Sequence, residues 1–445
     1  MSLYLLLTNH ISYDTIFKDI TLKLLNQGGN NMALTQKDRD IIRNLAKQQV
    51  EAAHTPHMDF LRKLWYENND CTGKAQRPLV TLEMWTFGKE LLGEINLECE
   101  TEEGRRIEHS FKTNQIYKKY IDDDNVIPDK YYVGPHSWFT PFNTDVKVHY
   151  LKGSIAYEFE HPIKNLSKDF HMLKKSTYGV NYKGAFDTKA YYEDIFGDIM
   201  PIEISGTNNL SMARMIFNML GMENMMYSMY DYPDEFHRMM NNLTADYLEY
   251  LDLFEKEGLC SVANNAQNLA QGTRCFTDDL SKNGSNSLTL KDMWGYMDSQ
   301  ETSEISPEMF EEFFFPYFKR ITDRWGLLSY ACCEPVNSIW NNCISKFENL
   351  RKVSVSPWCD EEFMGDVLRG KKITYLRKPF PNFLAIDKEF DEKGFSEHIK
   401  KTLICAKGCN LEFAYRDVYS LQGEKYRANR VYHIILDLIE KYWNK

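Results

Sequence analysis

From about residue 195 onward the chain alternates short apolar runs with amphipathic stretches of about 10 to 20 residues, and this rhythm restricts the fold more than any other feature. Ile199–Ile204, Cys260–Ala263, Leu327–Ala331, Leu350–Val355, Ile373–Leu376 and Leu411–Tyr415 read as strands. Helical periodicity covers Asp234–Lys256, Pro307–Trp325, a segment starting at Pro335, Glu361–Leu368, Phe395–Ala406 and Tyr426–Tyr442, with Leu288–Tyr296 between the first two. Strands separated by helices pair in parallel through right-handed crossovers. A doubly wound sheet would carry a phosphate loop after its first strand, and neither GxGxxG nor GxxxxGK[ST] occurs. Two further strands from the mixed sequence upstream would complete an α/β fold of the (β/α)8 TIM-barrel type.

Residues 1–75 read as an N-terminal helical region. Thr35-Gln36-Lys37-Asp38 is a capping-box candidate ahead of Ile41, Ile42, Leu45, Ala46, Val50 and Ala53, and Thr55-Pro56 restarts a helix carrying Phe60, Leu61, Leu64 and Trp65. Residues 76–445 read as the barrel domain, whose portion 76–190 is mixed, with short strands at Tyr131–Val133 and Val146–Leu151.

Charge then narrows the partners. The 53 Lys and Arg against 64 Asp and Glu give −11, so the surface repels phosphate backbones and no nucleic-acid partner is expected. No run approaches the roughly 18 apolar residues of a membrane span, and no basic leader precedes the apolar opening; a cytoplasmic protein is the expectation. Ten cysteines, two of them adjacent, do not form a disulfide framework. The methionines crowded between Met212 and Met240 are expected to pack helices against the barrel wall.

In a barrel, chemistry gathers where the carboxyl ends of the strands converge. Those positions hold Asn264-Asn265, Ser299-Gln300-Glu301, Cys332-Cys333-Glu334, Ser356-Pro357-Trp358, Arg377-Lys378 and Arg416-Asp417. Cys332-Cys333-Glu334 is the sharpest of these. Two thiolates and a carboxylate could ligate zinc, or the cysteines could be small buried hydrophobes at a helix start. Arg377, Arg416 and Asp417 are candidates for binding substrate, with Asn265, and Trp358 for walling an aromatic pocket.

The segments HPIKNLSKDFHMLKKSTY, IFGDIMPIEISG, LKDMWGYMDSQET, ISPEMFEEFFFPY, YACCEPV, NLRKVSVSPW, LRKPFPN and GCNLEFAYRDV together resemble the uroporphyrinogen decarboxylase superfamily, on its corrinoid-linked methyltransferase side. The resemblance implies a barrel of that type and a zinc-dependent transfer of a methyl group between a small methylated donor (methyl ether or methylamine) and the cobalamin of a separate corrinoid protein. A ligand pattern of the family is His-x-Cys after one strand and a distant Cys near the last. By resemblance these fall on Tyr330, Cys332 and, 77 residues later, Cys409. Tyrosine is a poor zinc ligand, so Cys333, Glu334 or Glu301 would supply the missing donor. The metal set implied is therefore Cys332, Cys333, Cys409 and Glu301, with Glu301, Tyr330 and Glu334 as catalytic candidates. A decarboxylase is the alternative, but Arg77-Pro-Leu-Val-Thr-Leu-Glu-Met-Trp85 lacks the arginines of the family's Met-Arg-Gln-Ala-Gly-Arg loop. A non-catalytic accessory barrel is a further alternative, and a homodimer stays open.

Overall fold

The computed structural model describes residues 34–84, 86–150, 157–206, 208–261, 265–281 and 288–443. Seven strands form its central sheet: β1 (Leu79–Leu82), β2 (Asn208–Leu210), β3 (Trp294–Met297), β4 (Leu327–Tyr330), β5 (Leu350–Val355), β6 (Thr374–Arg377) and β7 (Asn410–Tyr415). Their order is β1-β7-β6-β5-β4-β3-β2, and every neighbouring pair is parallel. Helices flank this sheet, as strand–helix alternation requires, so the protein has an α/β fold consistent with a (β/α)8-like barrel.

The sheet is strongly curled. Arg416 beyond β7 comes within 3.6 Å of Cys332 beyond β4, although three strand spacings on a flat sheet would separate them by roughly 14 Å. No described pairing joins β1 to β2. The free edge of β1 is instead covered by carboxylates: Val80 N–H donates to Asp124 (2.8 Å) and Leu82 N–H to Asp123 (2.6 Å). An antiparallel hairpin, Asn268–Ala270 with Thr273–Arg274, lies inside the curl. Its Gly272 carbonyl accepts from Thr81 of β1 (3.0 Å), while Gln271 bonds Tyr296 of β3 and Thr273 bonds Lys352 of β5.

The strand expected at Ile199–Ile204 forms only at Ile202–Ile204 and pairs with Tyr131–Val133 outside the central sheet; Asn208–Leu210 takes the central place. Cys260 and Ser261 are not in a strand, and the rest of that expected strand, with Asn264, lies outside the described residues. Val148–Tyr150 pairs in a hairpin with Tyr157–Phe159. The single helix expected over Pro307–Trp325 is two, Pro307–Phe313 and Phe315–Thr322, because Pro316 has no N–H to continue the ladder and opens the second. The segment after Pro335 runs through turns to a short 3₁₀ element at Ile344–Lys346.

The N-terminal helices are not a separate unit. Gln36–Ala53 packs Ile42, Leu45 and Ala46 onto Ile107, Phe111, Tyr192 and Phe196, so it shares a core with residues well beyond position 75. Only half of the capping box forms: Thr35 accepts from Asp38 N–H (3.1 Å), while the Asp38 carboxylate turns to Glu100 and Thr101 N–H. Pro56–Asn69 plugs the amino end of the sheet, where Asn68 donates to Glu412 (3.2 Å) and Trp65 to the Asp124 carbonyl (2.8 Å). Met212, Met219, Met225, Met229, Met239 and Met240 are buried in the main core, the packing role expected of them.

Gly295, in the middle of β3, faces the fully buried Trp325 ring, and a Cβ there would lie 1.9 Å from two ring atoms. Gly295→Ala is therefore expected to lower stability by about 1–3 kcal/mol or more, read as a lower urea midpoint with an unchanged slope.

Candidate functional site

Beyond the carboxyl ends of β1, β3, β4, β6 and β7 lies a continuous polar cluster, hereafter the mouth. At its centre the chain leaves β4 through Ala331, whose φ of +77° is a strained value for a residue with a Cβ. Such strain persists only where surrounding contacts fix it. Here the Cys332 N–H donates to Glu334 Oε2 (2.8 Å), and the Cys332 carbonyl accepts from Lys378 Nζ (2.8 Å).

The two thiols have different surroundings. Their sulfurs are 3.4 Å apart. Cys332 faces the Arg416 guanidinium, with Nη1 at 3.6 Å, whereas the Cys333 S–H points to the Asp417 carboxylate at 3.5 Å. The hydrogen bond to Cys332 and burial push the Cys333 thiol well above its ordinary range. Arg416 lies 3.0 Å from Glu83 and 3.6 Å from Asp417. Burial opposes its charge, but these carboxylates more than offset that.

Glu334 is 2% exposed. Its Oε1 accepts from Ser299 N–H (2.8 Å) and its hydroxyl (3.2 Å), and that hydroxyl also meets the Tyr330 hydroxyl (2.7 Å). Backbone donors favour the carboxylate, but burial disfavours it more strongly, with Asp298 and Cys332 adding to the effect. The Glu334 carboxyl is pushed up to about 8. Glu301 pairs with Arg214 (2.8 Å) and is also pushed up by burial.

Of the residues expected at the site, Cys332, Cys333, Glu334, Arg416 and Asp417 are linked by these direct contacts. Glu301 follows β3 in the same electrostatic neighbourhood through Asp298. Trp358 lies beyond β5, 52% exposed, with its ring 6.2 Å from that of Phe380. Tyr330 is fully buried against Phe347, its ring centroid 5.4 Å away and its hydroxyl on Ser299, so it does not occupy a ligand position beside the thiols. Asn265 accepts from Gln267 N–H (3.0 Å) and shapes a local turn. Arg377 is engaged away from the thiol loop: its guanidinium is fully buried, paired with Glu361 (3.1 Å) and bonded to Thr402 and the carbonyls of Val355 and Ser356.

Cys409 is a correction. It precedes β7 at the amino end of the sheet, while Cys332 follows β4 at the carboxyl end, and its thiol donates to the Gly365 carbonyl (3.3 Å). The six residues of β7 alone span about 20 Å. Cys332 and Cys409 cannot share a metal, and among the described residues no group of three His, Cys, Asp or Glu side chains is placed to hold one. The donor set implied for zinc does not fit. Cys409→Ser is accordingly expected to leave activity and metal content at wild-type values, measured by turnover and elemental analysis.

Glu83, Asp298 and Arg214 belong to the mouth but carry no sequence-level expectation. Glu83 and Asp298 each stand first after a strand, a position that marks them once the strand ends are known. Arg214 projects from the helix Met212–Leu220 and has no local signal.

No family model matches the chain, and no curated protein matches it. Among solved structures, a methyltransferase from Methanosarcina mazei is similar at a TM-score of 0.47 and 9% identity, over 84% of this chain and 98% of that chain. A likeness at that level carries no argument about chemistry.

Proposed function

We propose that this protein is a methyltransferase working at the mouth of its curled parallel sheet. It moves a methyl group between a small methylated donor, a methyl ether or methylamine, and a corrinoid carried by a separate protein. The sequence resemblance supports the class of reaction. The observation that carries the reading is the buried Glu334 carboxyl, bonded to Ser299 and to the Cys332–Cys333 loop where the strand ends converge and pushed up to about 8, which lets it keep a proton for transfer.

When a methyl group leaves oxygen or nitrogen, the bonding electron pair stays on the heteroatom. That atom departs easily only if it carries a proton, becoming a neutral alcohol or amine. The corrinoid partner, when bound, supplies the methyl acceptor. This chain supplies the rest: Glu334 donates the proton to an ether oxygen, while Ser299 and Cys332 N–H groups then hold the carboxylate that forms. Lys378 and Arg416 fix the strained loop on which Cys332 stands.

A polycarboxylate substrate suits the mouth poorly. Arg214, Lys378 and Arg416 already face Glu301, the Cys332 carbonyl, and Glu83 with Asp417. That weighs against porphyrinogen decarboxylation. The test offers the full-length protein a reduced corrinoid protein with methyl ethers and methylamines, following methyl–cobalt formation in the visible spectrum. Donor-dependent methyl–cobalt formation supports the proposal; porphyrinogen turnover with none across the panel overturns it.

A further inference from the structure

Asp298 and Glu301 lie three residues apart beyond β3, and are 1% and 7% exposed. Each uses one carboxylate oxygen: Asp298 Oδ2 accepts from the Tyr296 hydroxyl (3.0 Å), and Glu301 Oε1 from Arg214 Nε (2.8 Å). The other two oxygens, Asp298 Oδ1 and Glu301 Oε2, are buried with no hydrogen-bond partner among the described residues. Native proteins rarely leave buried acceptors in that state, because burial removes the water that would satisfy them. An ionised carboxylate oxygen only accepts, so whatever completes this pair must donate.

The surrounding charge restricts the donor further. Asp298 and Glu301 bring two carboxylates against the single guanidinium of Arg214. A cation with at least two N–H groups matches both the two open acceptors and the missing charge. An ether offers neither.

We infer that Asp298 and Glu301 form a receptor for a methylated ammonium ion that still bears N–H, such as methylammonium or dimethylammonium. This rests on the proposed methyl transfer and specifies how its amine donor is held. The pair then does chemical work beyond binding. Holding the nitrogen protonated lets the C–N electron pair pass to nitrogen as the methyl moves to a reduced corrinoid, so the ammonium leaves as a neutral amine. With this donor Glu334 need not give up its proton, whereas an ether requires it.

The test is calorimetric titration of full-length protein with methylammonium chloride and dimethylammonium chloride at constant ionic strength. Tetramethylammonium, which has the charge but no N–H, and methanol serve as comparators. Saturable binding of the first two is expected, at least about tenfold tighter than tetramethylammonium, with no binding of methanol. Asp298→Asn should weaken it by about tenfold or more, and Glu301→Gln provides the same reading should the first variant fold poorly. Absence of saturable binding by either ammonium ion, equal affinity for tetramethylammonium, or unchanged affinity in the variants overturns the receptor. Ammonium binding without methyl–cobalt formation would retain the receptor and end the methyltransferase reading. Methyl transfer from ethers alone, with no ammonium binding, would do the reverse.

Discussion

Glu334→Gln is expected to slow methyl transfer from ether donors by about 10²- to 10⁴-fold, the usual worth of a positioned general acid. The amide keeps the size of the side chain and one carbonyl acceptor, but it has no acidic proton to give. Transfer from ammonium donors should be spared, because their nitrogen already carries its proton. The same variant should change the pH dependence of stability. The Glu334 carboxyl lies at about 8 in the folded protein against an ordinary 4.5, so between these values the folded state binds the extra proton. Stability conferred by that proton is complete below about 4.5 and is lost as pH rises toward 8. Urea denaturation at intervals from pH 5 to 9 should show this decline in the wild type, and a shallower one in Glu334→Gln.

The largest stability effect is expected inside the curl of the sheet, at its amino end. Lys352 of β5 and Glu412 of β7 are fully buried and 2.6 Å apart. Thr273 and Asn68 join the network, and Lys352 lies 5.2 Å from the Trp65 ring centroid. Removing one partner leaves the other charge without its counter-ion in a site closed to water. Glu412→Leu should therefore cost about 3–5 kcal/mol. Adding Lys352→Met to it should recover most of that loss, since a buried pair replaced by apolar groups of similar volume is often near neutral. Urea midpoints of the two single variants and the double variant give the comparison; an additive double variant would show that the two groups do not depend on each other.

The carboxyl half of the architecture was legible because buried parallel strands are short apolar runs set between amphipathic helices. Leu327–Tyr330, Leu350–Val355, Thr374–Arg377 and Asn410–Tyr415 lie within a residue or two of where the sequence puts them. From those ends Cys332, Cys333, Glu334, Arg416 and Asp417 follow as neighbours. Arg377 failed through strand alternation: as the last residue of β6 it points outward to Glu361 and Thr402, and Lys378, one residue on, turns into the mouth. Cys409 failed through polarity, since it enters its strand where Cys332 leaves one. Glu83 was hidden because β1 lies in the mixed sequence upstream of the strand–helix rhythm, and Asp123 and Asp124, distant in sequence, cover its edge. The role of Pro56–Asn69 as a plug rests on Asn68 meeting Glu412 across 344 positions, a contact no local pattern announces.

The measurement that tests the central claim most directly is the single-turnover rate of methyl–cobalt formation from an aryl methyl ether between pH 6 and 9.5. The full-length protein and a reduced corrinoid protein would be used, and the corrinoid's own pH response subtracted. The rate is expected to hold steady below about 8 and to fall above it as Glu334 loses its proton, with the fall absent from the residual activity of Glu334→Gln. A wild-type rate that is flat or rising across that range, or one matched by Glu334→Gln at every pH, would contradict a methyl transfer driven by the proton on Glu334.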